Sequence, residues 1–245
     1  MEILELKGVS KRFGGIIAVE NVTITIMEGE IYGLIGPNGA GKTTLLNLIS
    51  GIYAPDEGEI VFNGVRISNR PPYSDAYKQM VRTFQIPKLW KKLDVYSNLI
   101  IAGYAKAKKR DSGEIRREAL NILRFLGLEH AINMPAGKLS GGQAKLLEFG
   151  RALMCNPKLL MLDEPFAGVS PAIMQKQIEF LKMIKKERGV SVLIVSHIIS
   201  KLVEIVNRVG VMHAGRLIAE GVPSEVLVDK AVIEAYMGGS NVPES

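Results

Sequence analysis

The chain has 245 residues, 47% of them hydrophobic, with 31 Lys and Arg against 25 Asp and Glu for a net charge of +6. That length holds one large domain or two small ones and buries about three-quarters of the unfolded surface. The single cysteine, Cys155, excludes an intrachain disulfide and reads as a small buried residue in a reducing compartment.

No segment reaches the ~18 uninterrupted apolar residues of a membrane-spanning helix. Glu2 and Glu5 break up any secretory pattern at the N-terminus, so a cytoplasmic chain that meets a membrane only through a partner or from its surface is expected. The densest basic run, 106–110, carries no interleaved aromatics. Its charge reads as solvated surface or attraction to a membrane or to phosphates, and no nucleic-acid partner is expected.

In chain order, residues 1–35 read as strands. Ile3, Leu4 and Leu6 begin one, Val22, Ile24 and Ile26 alternate with polar residues in a second, and 31–35 is a short buried third. Residues 59–67 form a hairpin at Asn63-Gly64, a type I′ signal. The short separations predict that this part is antiparallel. Leu45, Leu46, Leu48 and Ile49 mark a helix that Gly51 ends. From about 86 to 138 the pattern is helical: Ile115, Ala119, Ile122, Leu123 and Leu126 share a face, with Ser112 as cap and Gly127 as stop. A helix over 142–154, a buried strand over 159–162, a helix over 171–187 and an apolar strand over 190–195 follow. A hairpin over Ala214-Gly215, a final helix opened by Pro223 and a loose tail at 238–245 complete the chain.

Gly36-Pro37-Asn38-Gly39-Ala40-Gly41-Lys42-Thr43 fits the phosphate-binding loop, G-x-x-x-x-G-K-[S/T], with a buried strand before it and an apolar helix after. Glycines let successive N–H groups point inward at phosphates, and the helix N-terminus adds partial positive charge. Lys42 is expected on the β and γ phosphates, Thr43 on Mg²⁺ and Thr44 on the α-phosphate. The apolar run 159–162 delivers Asp163, suited to the magnesium shell, and Glu164, suited to orienting and deprotonating the attacking water. His197 follows the next strand, either as a satisfied polar residue or as a contact to the γ-phosphate. Gln85 stands where the strand core gives way to the helical insert, where an amide can meet magnesium or water.

Leu139-Ser140-Gly141-Gly142-Gln143 then completes a set that resembles, in order and over nearly the whole chain, the ATP-binding subunit of ABC transporters. The resemblance implies a single ATP-binding domain over 1–245. Its α/β P-loop NTPase core, with a mainly parallel sheet, takes 1–85 and 139–237 with an antiparallel β subdomain. The helical subdomain takes 86–138. It also implies that two subunits, identical or not, sandwich two ATP molecules head to tail. Ser140, Gly141, Gly142 and Gln143 would then meet the γ-phosphate held by the other subunit, an anion at a Gly-rich helix start. Phe13 matches the position that stacks on adenine, with core packing as the alternative. The family usually carries Asp where Ser170 stands, a residue that helps couple the two ATP sites.

Three stretches, 82–85, 89–99 and 164–171, look most like the ATPases of branched-chain or hydrophobic amino acid importers. The lipopolysaccharide-export ATPase carries similar strings. By the same resemblance the partners are transmembrane permease subunits and an external solute-binding protein. The groove around Gln85 and 86–100 would receive a permease helix, with Leu89, Trp90, Tyr96 and Leu99 as candidate contacts, and the subunit would lie on the cytoplasmic face of the membrane. A soluble, non-transport ABC ATPase is the alternative; such proteins usually carry two nucleotide domains or a long coiled coil.

Overall fold

The computed structural model describes residues 1–105 and 111–237, so the basic run at 106–110 and the tail at 238–245 lie outside the described residues. Along the chain run strands β1 (Glu2–Phe13), β2 (Ile16–Met27) and β3 (Ile31–Ile35), helix α1 (Lys42–Ile49), and strands β4 (Glu57–Phe62), β5 (Val65–Arg66) and β6 (Met80–Arg82). Helices α2 (Val95–Ala105), α3 (Ser112–Leu126) and α4 (Gly141–Met154), strand β7 (Leu159–Asp163), helix α5 (Pro171–Arg188) and strand β8 (Ser191–Val195) follow. The chain closes with helix α6 (Ile199–Leu202), strands β9 (Arg208–His213) and β10 (Arg216–Gly221), and helices α7 (Pro223–Val226) and α8 (Lys230–Met237). Two compact units result: Met1–Tyr77 with Ser191–Ser245, and Lys78–Val190.

The first unit contains an antiparallel sheet ordered β2-β1-β4-β5. Alternation in β2 buries Val22, Ile24 and Ile26 and leaves their neighbours partly exposed, the pattern of a sheet covered on one face. The β4–β5 turn places Asn63 and Gly64 at φ 49° and 73°, both left-handed as a type I′ turn requires. β3 departs from the antiparallel expectation: it lies between β8 and β9 and runs parallel to both. All five of its residues are buried, so both faces are covered, which suits an inner parallel strand. The β9–β10 hairpin turns over Ala214 and Gly215, at φ 46° and 83°. The final helix is two helices. α7 stops at Val226, and the Asp229 carboxylate accepts the Ala231 N–H at 2.8 Å to begin α8.

In the second unit β6 runs parallel to β7, in the company of α2 to α5. The apolar face of α3 turns inward as its spacing predicts, and Gly127 ends it at φ 66°. Its cap is Asp111 rather than Ser112, which is already inside the helix: Asp111 accepts the amides of Gly113 and Glu114 at 2.9 and 3.3 Å. α4 is buried on nearly every side from Lys145 to Met154. Gly150 permits this, because a Cβ there would lie 2.8 to 3.1 Å from Ile122, Leu126 and Leu99.

Candidate functional site

In the first unit β3 ends at Ile35 and the backbone bends at once. Gly36 and Gly41 sit at φ 149° and 99°, where side chains are strained. Their surroundings exclude a side chain as well: a Cβ would lie 2.1 Å from the Met212 carbonyl at Gly36 and 2.4 Å from that of Ala18 at Gly41. Gly41 caps α1 without a side-chain hydrogen bond, so the first amides of the helix open onto the loop. Lys42 is buried and folds back, its Nζ donating to the carbonyls of Gly36 at 2.7 Å and Pro37 at 2.9 Å. Asn38, Gly39 and Thr43 are exposed, Pro37 and Thr44 half-buried and Ala40 buried. The arrangement, a run of amides at a helix start with an ammonium beside it, is chemically suited to a polyphosphate.

β8 brings His197 to the same end of the sheet. Leu34 is in register with Val195, and the Ser196 amide donates to the Leu34 carbonyl at 3.4 Å, so the exposed His197 stands beside the start of the phosphate loop. Phe13 closes β1 with 42% of its surface exposed, which overturns the core-packing alternative. Its ring meets Tyr53 edge-on at 5.1 Å, and the Lys11 ammonium lies 5.7 Å from its centre.

The second unit holds the acids. Asp163 ends β7, nearly buried, and its carboxylate accepts from Arg82 Nη2 at 3.0 Å. Parallel pairing of β6 with β7 sets this contact, and Gln85 follows three residues past β6, exposed. Glu164 adopts φ 50°, the left-handed region, which costs a non-glycine residue about 1–3 kcal/mol. Its loop is tied down from two helices. Lys145 Nζ of α4 donates to the carbonyls of Glu164, Pro165 and Ala167 at 3.2, 3.4 and 2.5 Å, and Gln177 Nε2 of α5 to that of Pro165 at 3.2 Å. Burial pulls the Lys145 ammonium below the usual lysine range, opposed by the carboxylates of Glu148 and Glu164.

Ser140 caps α4 in a full capping box: its Oγ accepts the Gln143 amide at 3.3 Å, while Gln143 Oε1 accepts the Ser140 amide at 3.0 Å. Ser140 and Gly141 are exposed, so the helix start faces outward. Gly142 lets α4 approach α5, since a Cβ there would meet Ile173 at 3.0 Å. Ser170 has its own local task, accepting the Ile173 amide at 3.4 Å to cap α5 ahead of Pro171.

Of the candidate docking residues, Leu99 is fully buried and belongs to the core. Leu89 and Tyr96 are half-buried, and Trp90 is exposed beneath the Arg151 guanidinium, 4.1 Å from its ring centre. Asn98, wholly buried, accepts the Trp90 amide at 3.0 Å and donates to its carbonyl at 3.1 Å, which fixes the segment. Beside it lies a cavity of about 170 Å³ lined in part by Phe84, Lys88, Glu148, Arg151 and a half-buried Cys155. Desolvation raises the Glu148 carboxyl there, against hydrogen bonds from the amides of Lys88 and Phe84.

Arg82, Lys145 and Gln177 hold the end of β7 and the loop after it, although the nucleotide-binding motifs include none of them. For Lys145 the signal was compositional: with Glu148 and Arg151 it is one of three charges in a helix whose other residues from Leu146 to Met154 are apolar.

The "ABC transporter" family model matches residues 19–167, and a "branched-chain amino acid ATP-binding cassette transporter" model matches 216–240. A probable branched-chain amino acid transport ATP-binding protein, LivG, of Archaeoglobus fulgidus is 41% identical, over 98% of this chain and 97% of its own length. The solved ADP conformation of an ATP-binding cassette of an ABC transporter superposes with a TM-score of 0.86 at 37% identity, covering 97% of this chain and 99% of that one. A dimeric post-hydrolysis state of another ATP-binding cassette, bound to ADP and phosphate, gives 0.80 at 30% identity, over 90% and 98%. The fold is that of the P-loop NTPases. Among the described residues no helix is long and apolar enough to cross a membrane.

Proposed function

The chain belongs to the ABC transporter ATP-binding family and is an ATPase, and from that premise we propose that it powers the import of branched-chain or other hydrophobic amino acids. The observation that carries the substrate class is the family match over β10, α7 and α8. That segment lies outside the nucleotide motifs. The transported molecule is handled by permease subunits and an external solute-binding protein, and the chain sits on the cytoplasmic face of the membrane through those permeases. Trp90, exposed on a segment pinned by Asn98, is the proposed permease contact.

ATP is held by the loop from Gly36 to Thr44: its amides and Lys42 take the phosphates, and Phe13, exposed at the end of β1, takes the adenine. The exposed hydroxyl of Thr43 and the carboxylate of Asp163 are hard oxygen donors that fit Mg²⁺. Held by those two groups, the ion would supply neutralisation of the phosphate charge. Glu164 orients a water and takes its proton as the water's oxygen bonds to the γ-phosphorus and the bond to the β-phosphate oxygen breaks. His197 hydrogen-bonds the γ-phosphate, and Gln85 contacts the ion or the water and reports to the helical segment. Ser140, Gly141, Gly142 and Gln143 contact the γ-phosphate held by a second ATP-binding subunit. Two ATP molecules close the dimer and hydrolysis reopens it.

Reconstitution with its permease and solute-binding protein in vesicles tests the reading: ATP-dependent uptake of leucine, isoleucine or valine is expected, and uptake of none of them overturns the substrate class. Glu164→Gln tests the chemistry. Hydrolysis should fall by about 10²–10⁴-fold while ATP binding persists and a dimer accumulates on light scattering. Hydrolysis near the wild-type rate removes Glu164 as the base.

A further inference from the structure

The Glu164 loop is gripped from behind by one buried ammonium. Lys145 lies in α4, five residues beyond the Ser140 cap, about 7.5 Å along the helix axis. Its Nζ has three donors and meets three carbonyls, those of Glu164, Pro165 and Ala167. An ammonium is a costly group to bury, and an apolar side chain would fill the same helix position at less expense. Its distinctive contribution is directional. The carbonyls of Glu164 and Pro165 orient the two peptide planes that follow the strained Glu164. With φ held at 50°, they set the direction in which the Glu164 side chain leaves the backbone. The Ala167 amide, donating back to the Glu164 carbonyl at 3.3 Å, closes the turn around the same point.

We propose that Lys145 is a positioning residue for hydrolysis. Its ammonium holds the Glu164 carboxylate where it can orient and deprotonate the attacking water, and ties it to the helix whose N-terminus opens at Ser140. The catalytic loop and the start of α4 therefore move as one piece. The proposal rests on Glu164 being the base.

The test compares the full-length chain with Lys145→Met, Lys145→Gln and Lys145→Arg, measuring Mg-ATP hydrolysis, ATP affinity by a fluorescent analogue and the unfolding temperature. Misaligning a catalytic group costs roughly tenfold to a hundredfold, and that loss is expected in kcat for Met and Gln. KM and ATP affinity should stay within about twofold, because binding is untouched. Arg, which keeps the charge and several donors, should recover most of kcat. If Met does not fold, Gln against Arg carries the same comparison. Wild-type kcat in Gln overturns the proposal, as does a kcat loss matched by lost ATP affinity and stability, or an Arg variant no better than Gln. Glu164→Gln is run beside them. If it keeps full hydrolysis the base assignment fails. If it is inactive while Lys145→Gln is normal, only the positioning role fails.

Discussion

The two loops proposed to carry the nucleotide chemistry are held bent by different means. From Gly36 to Lys42 the bend is made by backbone alone: glycines take left-handed angles, neighbouring carbonyls of Met212 and Ala18 leave no room for a Cβ, and the one charged side chain folds back on its own loop. Around Asp163 and Glu164 the backbone is ordinary residues in a strained turn, and side chains from other elements hold it: Arg82 on Asp163, Lys145 and Gln177 on the carbonyls beyond. A receptor for a ligand's fixed charge can be built from amides that never change. The loop from Asp163 onward, proposed to present a base, is instead braced by groups from β6, α4 and α5, and of these α4 also carries the Ser140 cap. The difference teaches where each loop is vulnerable, to an added methyl in the first case and to a deleted charge in the second.

The largest effect should come from filling the backbone-built loop. Gly36→Ala combines a strained φ with a contact far inside van der Waals distance, a loss of about 4 kcal/mol from strain and overpacking together. Urea unfolding should show it, and Mg-ATP binding should be lost with it. Unchanged stability would mean the loop yields where the packing says it does not.

Next comes deletion of charge from the braced loop. Arg82→Met leaves the buried Asp163 carboxylate without its partner, at about 3 kcal/mol. The same substitution at Arg124, whose pair with Glu129 is exposed, should cost under about 1 kcal/mol. Equal losses at the two sites would erase the contrast between braced and solvated pairs.

This contrast also explains what could be read in advance. The phosphate loop was legible because glycine at fixed spacing is itself the structural device. The type I′ turn at Asn63-Gly64 and the inward face of α3 were legible for the same local reason. Arg82, Lys145 and Gln177 were not, because each acts on a backbone segment that only tertiary folding brings to it. β3 misled for a related reason: a short link to β2 suggested a hairpin, while its unbroken apolar run, unlike the alternation in β2, marked a strand covered on both faces. At α3 two adjacent capping residue types competed, and the one with its carboxylate over two amides won.

The smallest effect is expected at Ser170, where the chain departs from the Asp its family usually carries. Ser170 caps α5 with a long 3.4 Å bond to the Ile173 amide. Asp is as good a cap and adds a charge that favours the helix N-terminus, so Ser170→Asp should leave stability equal or raise it by about 0.5 kcal/mol. The cap is therefore not what serine sacrifices. If the carboxylate couples two ATP sites across a dimer, its return should steepen the dependence of hydrolysis on ATP concentration while leaving single-site ATP affinity unchanged. An unaltered Hill coefficient beside intact stability would show that the residue serves α5 alone.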